Sequence, residues 1–125
     1  MEQNYHNLKQ QNDQADPVSI QIDLYPTGET KSEVQLTRGI IHGNALGYYR
    51  NGKLQYHERF KNGKPHGIQD GWYDDGSKKY QLVYHEGEKH GLWKSWYATG
   101  TKEWEKLFEH NELRSQKLWD YNSIS

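Results

Sequence analysis

A period of 24 residues runs through this chain and leaves few folds open to it. The twelve glycines fall into four columns of that period: Gly28, Gly52, Gly76 and Gly100; Gly39, Gly63 and Gly87; Gly43, Gly67 and Gly91; Gly47 and Gly71. Tyr25, Tyr49, Tyr73, Tyr97 and Tyr121 recur at the same interval, as do His42, His66 and His90. A repeat of this length is one supersecondary unit stacked on copies of itself.

One unit, Ile68 to Gly91, reads IQDGWYDDGSKKYQLVYHEGEKHG. Asp74-Asp75-Gly76 supplies a three-residue turn, with equivalents at Pro26-Thr27-Gly28, Arg50-Asn51-Gly52 and Ala98-Thr99-Gly100. Glycine in the third loop position is what a type I turn with a G1 bulge requires, because that residue takes positive φ. Ser77 to His85 alternates apolar and polar residues as a half-buried strand does. Glu86-Gly87, like Asn62-Gly63, then turns the chain back in a two-residue hairpin. The expected fold is all-β: a single-layer antiparallel meander of tandem 24-residue β-hairpin repeats.

Pairing Tyr73 with Ser77 predicts the faces. Ile68, Trp72, Tyr80, Leu82 and Tyr84 then share one side, with Leu46, Tyr48, Leu54, Tyr56 and Phe60 before them and Leu92, Trp96, Trp104 and Phe108 after. Gln69, Gly71, Tyr73, Lys79 and Gln81 fall on a wetter side, where Gly47 and Gly71 leave room for tyrosine rings. The end units are degenerate, as caps of a stack are: Ser32 replaces the aromatic of its column, and Asn111 and Ser115 replace glycine. Residues 1–17, polar and rich in Gln and Asn, are expected to form a flexible tail, with the repeat domain spanning 18–125.

Composition agrees with a thin sheet. Mean hydropathy is −1.24, yet 14% of residues are aromatic and the net charge is only −1. The buried surface must come from Tyr and Trp rings that keep a polar tip near water. There is no cysteine, which excludes disulfides and thiolate sites and favours a reducing, cytoplasmic setting. No apolar stretch reaches the length of a membrane span, and the N-terminus lacks the apolar core of a signal peptide. The near-neutral charge gives no footprint for nucleic acid, and no basic cluster for anionic lipid.

Gly71-Trp72-Tyr73-Asp-Asp-Gly76 and Asn62-Gly63-Lys64-Pro-His66-Gly67 carry a family pattern. It resembles the MORN repeat, and in particular the bacterial MORN-variant repeat of antitoxin and immunity-type proteins. The resemblance covers Gly39 to Ser115 as three units with half-units on either side. It implies a protein-binding module that occludes a partner toxin; a MORN-type scaffold, membrane-proximal or cytoplasmic, is the alternative it allows. Its hallmark residues are structural and imply no binding residue.

The histidine column invites a metal reading, but equivalent positions in successive hairpins lie about 9.5 Å apart, too far to converge on zinc with ligands at about 2 Å. Asp74-Asp75 belongs to a turn, Glu103 and Glu105 to the wet face, and no nucleophile, phosphate-binding or dinucleotide motif is present. Neither catalysis, cofactor nor metal is expected. The aromatic stripe, Tyr48, Tyr56, Trp72, Tyr80, Trp96 and Trp104, needs cover from coiling of the sheet, the N-terminal tail, a second copy giving a homodimer, or a protein partner. Trp93 replaces Ala45 and Gln69 in its column and is expected on the wet face, as a partner contact or packed over a neighbouring ring. Acid in the C-terminal half (Glu86, Glu88, Glu103, Glu105, Glu109, Glu112) suits a basic, nucleic-acid-cleaving partner.

Overall fold

A computed structural model describes residues 17–121; up to residue 16, the tail expected from the sequence lies outside the described residues. Eleven strands form one antiparallel sheet. They are β1 (Val18–Leu24), β2 (Thr30–Thr37), β3 (Ile40–Tyr48), β4 (Leu54–Lys61), β5 (Lys64–Pro65), β6 (Gly67–Trp72), β7 (Lys78–His85), β8 (Glu88–Lys89), β9 (Gly91–Trp96), β10 (Lys102–Glu109) and β11 (Glu112–Leu118). The order is β1-β2-β3-β4-β6-β7-β9-β10-β11, with β5 on β4 and β8 on β7. Among the described residues there is no helix, hence none long and apolar enough to cross a membrane.

Both expected turn types form. Asn62 and Gly63 have φ of 49° and 83°, and Glu86 and Gly87 46° and 88°, the two positive values of a type I′ hairpin. At His110-Asn111 the same turn forms without glycine, with φ of 48° and 68°, which Asn tolerates better than most residues. At the three-residue turns the Tyr73 amide donates to Ser77 O at 2.8 Å and the Gly76 amide to Tyr73 O at 2.9 Å.

The faces differ from those the sequence suggests. Just past each three-residue turn the second strand holds one extra residue. Trp72 lies opposite Lys78 and Gly71 opposite Tyr80, which leaves Lys79 unpaired. Lys31, Gln55 and Glu103 are skipped in the same way. A bulge of one residue moves every later partner to the other side. Face A therefore carries Ala45, Gly47, Tyr56, Glu58 and Phe60, then Gln69, Gly71, Tyr80, Leu82 and Tyr84, then Trp93, Ser95, Trp104, Lys106 and Phe108. Face B carries Leu46, Tyr48, His57, Arg59, Ile68, Asp70, Trp72, Gln81, Val83, Leu92, Lys94, Trp96, Glu105 and Leu107. The expected single stripe is thus split: Tyr56, Tyr80 and Trp104 on face A, Tyr48, Trp72 and Trp96 on face B.

Trp93 packs over neighbouring rings, one of the two places expected for it, but the face it occupies is not a wet one. It sits on face A, 8% exposed, between Tyr84 and Phe108 at ring-centre distances of 5.2 and 4.8 Å. Its indole N–H donates to Val83 O at 2.7 Å. The reason is again the bulge, which turns the first strand of each unit over relative to the second.

Burial is confined to the middle of the sheet. Ala45, Trp93 and Phe108 are the buried apolar residues among those described, with Gln69, Asp70 and Ser95 as buried polar ones. Tyr56 and Tyr80 lie flat on Gly47 and Gly71, where any Cβ would overlap the ring. Glycine serves here through its missing side chain rather than its φ.

Candidate functional site

The seam between repeats is where the ladder is thinnest, and side chains complete it. β4 and β6 share two paired positions, whereas the β6–β7 hairpin has six. Across the gap, Gln69 behaves like a piece of backbone: Oε1 accepts from the Arg59 amide at 2.5 Å and Nε2 donates to Arg59 O at 2.8 Å. Trp93 fills the equivalent place one repeat later. Tyrosine hydroxyls cross the same seams: Tyr25 donates to Tyr48 O, Tyr49 to Trp72 O, Tyr73 to Trp96 O and Tyr97 to Trp119 O, at 2.5, 2.6, 2.7 and 3.2 Å.

The histidine column also joins repeats. His42 Nδ1 accepts from the Asn62 amide at 3.0 Å and His66 Nδ1 from the Glu86 amide at 2.9 Å, so each ring holds the hairpin turn of the next unit. His66, His85, His90 and His110 follow one another at ring-centre distances of 5.1, 6.0 and 5.9 Å. Among the described residues no three His, Cys, Asp or Glu side chains are placed to hold a metal.

Face B holds a polar cluster. Asp70 receives Lys78 Nζ at 2.6 Å and Arg59 Nη1 at 3.2 Å. Arg59 also contacts His57 Nδ1 at 3.3 Å, and His57 Nε2 meets Asn44 Oδ1 at 2.9 Å. Lys78 lies 4.6 Å over the Trp72 ring. Burial pushes the Asp70 carboxyl up, but the hydrogen bonds and charges of Lys78 and Arg59 outweigh it and hold the group below its usual range. Burial, with Arg59 second, pushes the His57 imidazole down. Every charge here has a partner, so the cluster is a structural knot.

Face A offers the opposite. Phe60, Pro65, Tyr80, Leu82 and Tyr84 wall a shallow hollow of about 110 Å³, with Glu58 and Gln69 also lining it. The Gln69 amide is spent on the Arg59 backbone. Glu58 is half-buried and, among the described residues, its carboxylate has no hydrogen bond or ion pair. Burial pushes its carboxyl above the usual range. The Tyr80 and Tyr84 hydroxyls are raised too, by burial first and by the Glu58 charge second. In the same column stand Val34, Leu82 and Lys106, so the carboxylate is particular to one repeat.

Of the residues singled out from the sequence, Tyr80 lines this hollow. Tyr56 and Trp104 lie along the same face, Trp104 with Lys106 Nζ 4.4 Å above its ring; Tyr48, Trp72 and Trp96 lie across the sheet. Sequence reasoning missed Glu58. The signal was present in Tyr56-x-Glu58-x-Phe60, which alternation places on one side with an acid between two rings.

Among the described residues, fold and site together define an open, single-layer repeat sheet with an aromatic hollow that holds an unpaired acid. The chain matches no known family model, and no curated protein or solved structure matches it significantly.

Proposed function

We propose that the chain is a protein-binding repeat module, and that its Glu58 hollow receives a basic side chain of the partner. One observation carries this reading: a carboxylate drawn half out of water among three aromatic rings, with nothing ion-paired to it among the described residues. Desolvating an acid without a partner is unfavourable. A guanidinium or ammonium group entering the hollow would offset that cost and meet the faces of Phe60, Tyr80 and Tyr84 as well.

The resemblance to bacterial MORN-variant repeats supports a more specific version. The chain would be a cytoplasmic antitoxin or immunity-type protein that masks a toxin by occlusion, binding rather than catalysing. A toxin that cleaves nucleic acid presents basic side chains of the kind the hollow suits.

The test begins with recovery of the partner by tagged chain from the native host, followed by affinity measurements on purified proteins. Glu58→Gln keeps the shape and removes the charge. Loss of one member of a desolvated charge pair costs about 2–5 kcal/mol, so Kd is expected to rise at least tenfold, whereas Trp72→Ala on face B leaves it within about twofold. Equal affinity of Glu58→Gln and wild type would overturn the reading. Tight binding to anionic vesicles without a protein partner would favour the scaffold alternative.

A further inference from the structure

β1 ends the strand order, so one of its backbone edges has no neighbour among the described residues. Two hydrogen bonds fix which residues face that edge. The Arg38 amide donates to Pro17 O at 2.9 Å, and the Tyr25 amide to Glu29 O at 2.8 Å. The odd-numbered residues of the strand therefore turn their backbone groups inward to β2, and Val18, Ile20, Ile22 and Leu24 turn theirs outward. The side chains of these four share face B, since Ile22 lies opposite Glu33 and Glu33 opposite Leu46. They are between 54% and 70% exposed.

Exposed edges in natural sheets are guarded by charge, proline or a bulge. At the other end of the sheet β11 has such guards: Glu112, Arg114 and Lys117, with a bulge where Arg114 is skipped between Leu113 and Ser115. β1 reads VSIQIDL, with one charge and no Lys, Pro or Gly.

We propose that β1 pairs antiparallel with β1 of a second copy, about a two-fold axis through Gln21, to make a homodimer with one continuous sheet. The register follows from the strand. An axis at Gln21 sets Val18 against Leu24 of the second copy and Ile20 against its Ile22. Every outward-facing residue then meets another outward-facing residue, so all four form hydrogen-bonded pairs, and apolar meets apolar along face B. On face A Ser19 meets Asp23, and Gln21 meets its own copy. The only charge on the strand thus faces a hydroxyl and not another carboxylate. Moving the axis to Ile20 or Ile22 keeps the backbone parity but leaves an outward residue of each strand unmatched. Such self-complementarity is what an isologous contact requires.

The absence of cysteine makes the register directly testable. In Gln21→Cys the two thiols face each other across a non-hydrogen-bonded pair with Cα atoms about 4.5 Å apart, within disulfide reach. In Ser19→Cys they are offset by four residues, on the order of 13 Å along the strands. Mild oxidation is expected to cross-link Gln21→Cys at least tenfold faster than Ser19→Cys. An interface of one strand pair is small, so wild type at about 100 μM is expected to sediment at twice the chain mass. Ile20→Lys, whose side chain faces solvent in the single chain, is expected to sediment as a monomer with an unchanged circular dichroism spectrum. Equal cross-linking of the two cysteine variants, a monomeric wild type, or a dimeric Ile20→Lys would each overturn the proposal.

Discussion

At Gly71 a hydrogen atom leaves the strand backbone bare, and the Tyr80 ring lies on it. Gly71→Ala forces that ring away although its backbone conformation suits alanine, and overpacking of this kind costs about 1–3 kcal/mol. Chemical denaturation should show it as a lower midpoint with an unchanged slope; an unchanged midpoint would mean that the ring moves freely. Titration acts at the same scale on the other face. The folded chain binds a proton at His57 less readily than the unfolded chain does, so the stability His57 contributes is complete above about pH 6.5 and is lost as pH falls below it. Asp70 is held in its charged form, and its contribution is lost only below about pH 4. Urea midpoints are expected to decline in two stages on acidification. His57→Gln should flatten the first stage and leave the second, which a profile identical to wild type would contradict.

The elements themselves separate what could be read in the sequence from what could not. Turns were legible because their positive-φ positions are held by glycines that stand in columns, at Gly39, Gly63 and Gly87 and at Gly28, Gly52, Gly76 and Gly100. The second bulge beyond each three-residue turn was not legible, unlike the G1 bulge that the turn glycine announces. Lys31, Gln55, Lys79 and Glu103 are ordinary polar residues in a polar strand, and an extra one leaves no mark on composition. A glycine column beside an aromatic column was the available clue, since Tyr80 can lie on Gly71 only if both face the same way. The candidate site inherits the error: Phe60, Tyr80 and Tyr84 were placed together, Gln69 was assigned to the opposite face, and Glu58 was not singled out. The tyrosine column was visible as a period but not as a set of bonds between units. Removing one such bond, by Tyr73→Phe, is expected to cost about 1 kcal/mol and to raise hydrogen exchange at the seam between β7 and β9 above that inside either hairpin. Uniform exchange along the sheet would assign the tyrosines no special part in joining repeats.

As a whole, the described residues form a one-dimensional stack with three buried apolar residues and no second layer among them. Stability in such a stack is a sum of units and of the seams between neighbours. The seams are not symmetric. Each tyrosine hydroxyl reaches toward the C-terminus, from Tyr25 to Tyr48, Tyr49 to Trp72, Tyr73 to Trp96 and Tyr97 to Trp119. Trimming the front of the stack uncovers a carbonyl, which water satisfies at once. Trimming the back strips a tyrosine of both its acceptor and its cover. A chain starting at His42 should therefore melt higher than one ending at Gly100. Erosion of this protein has a direction: it can be worn down from its first repeat, and comes undone from its last.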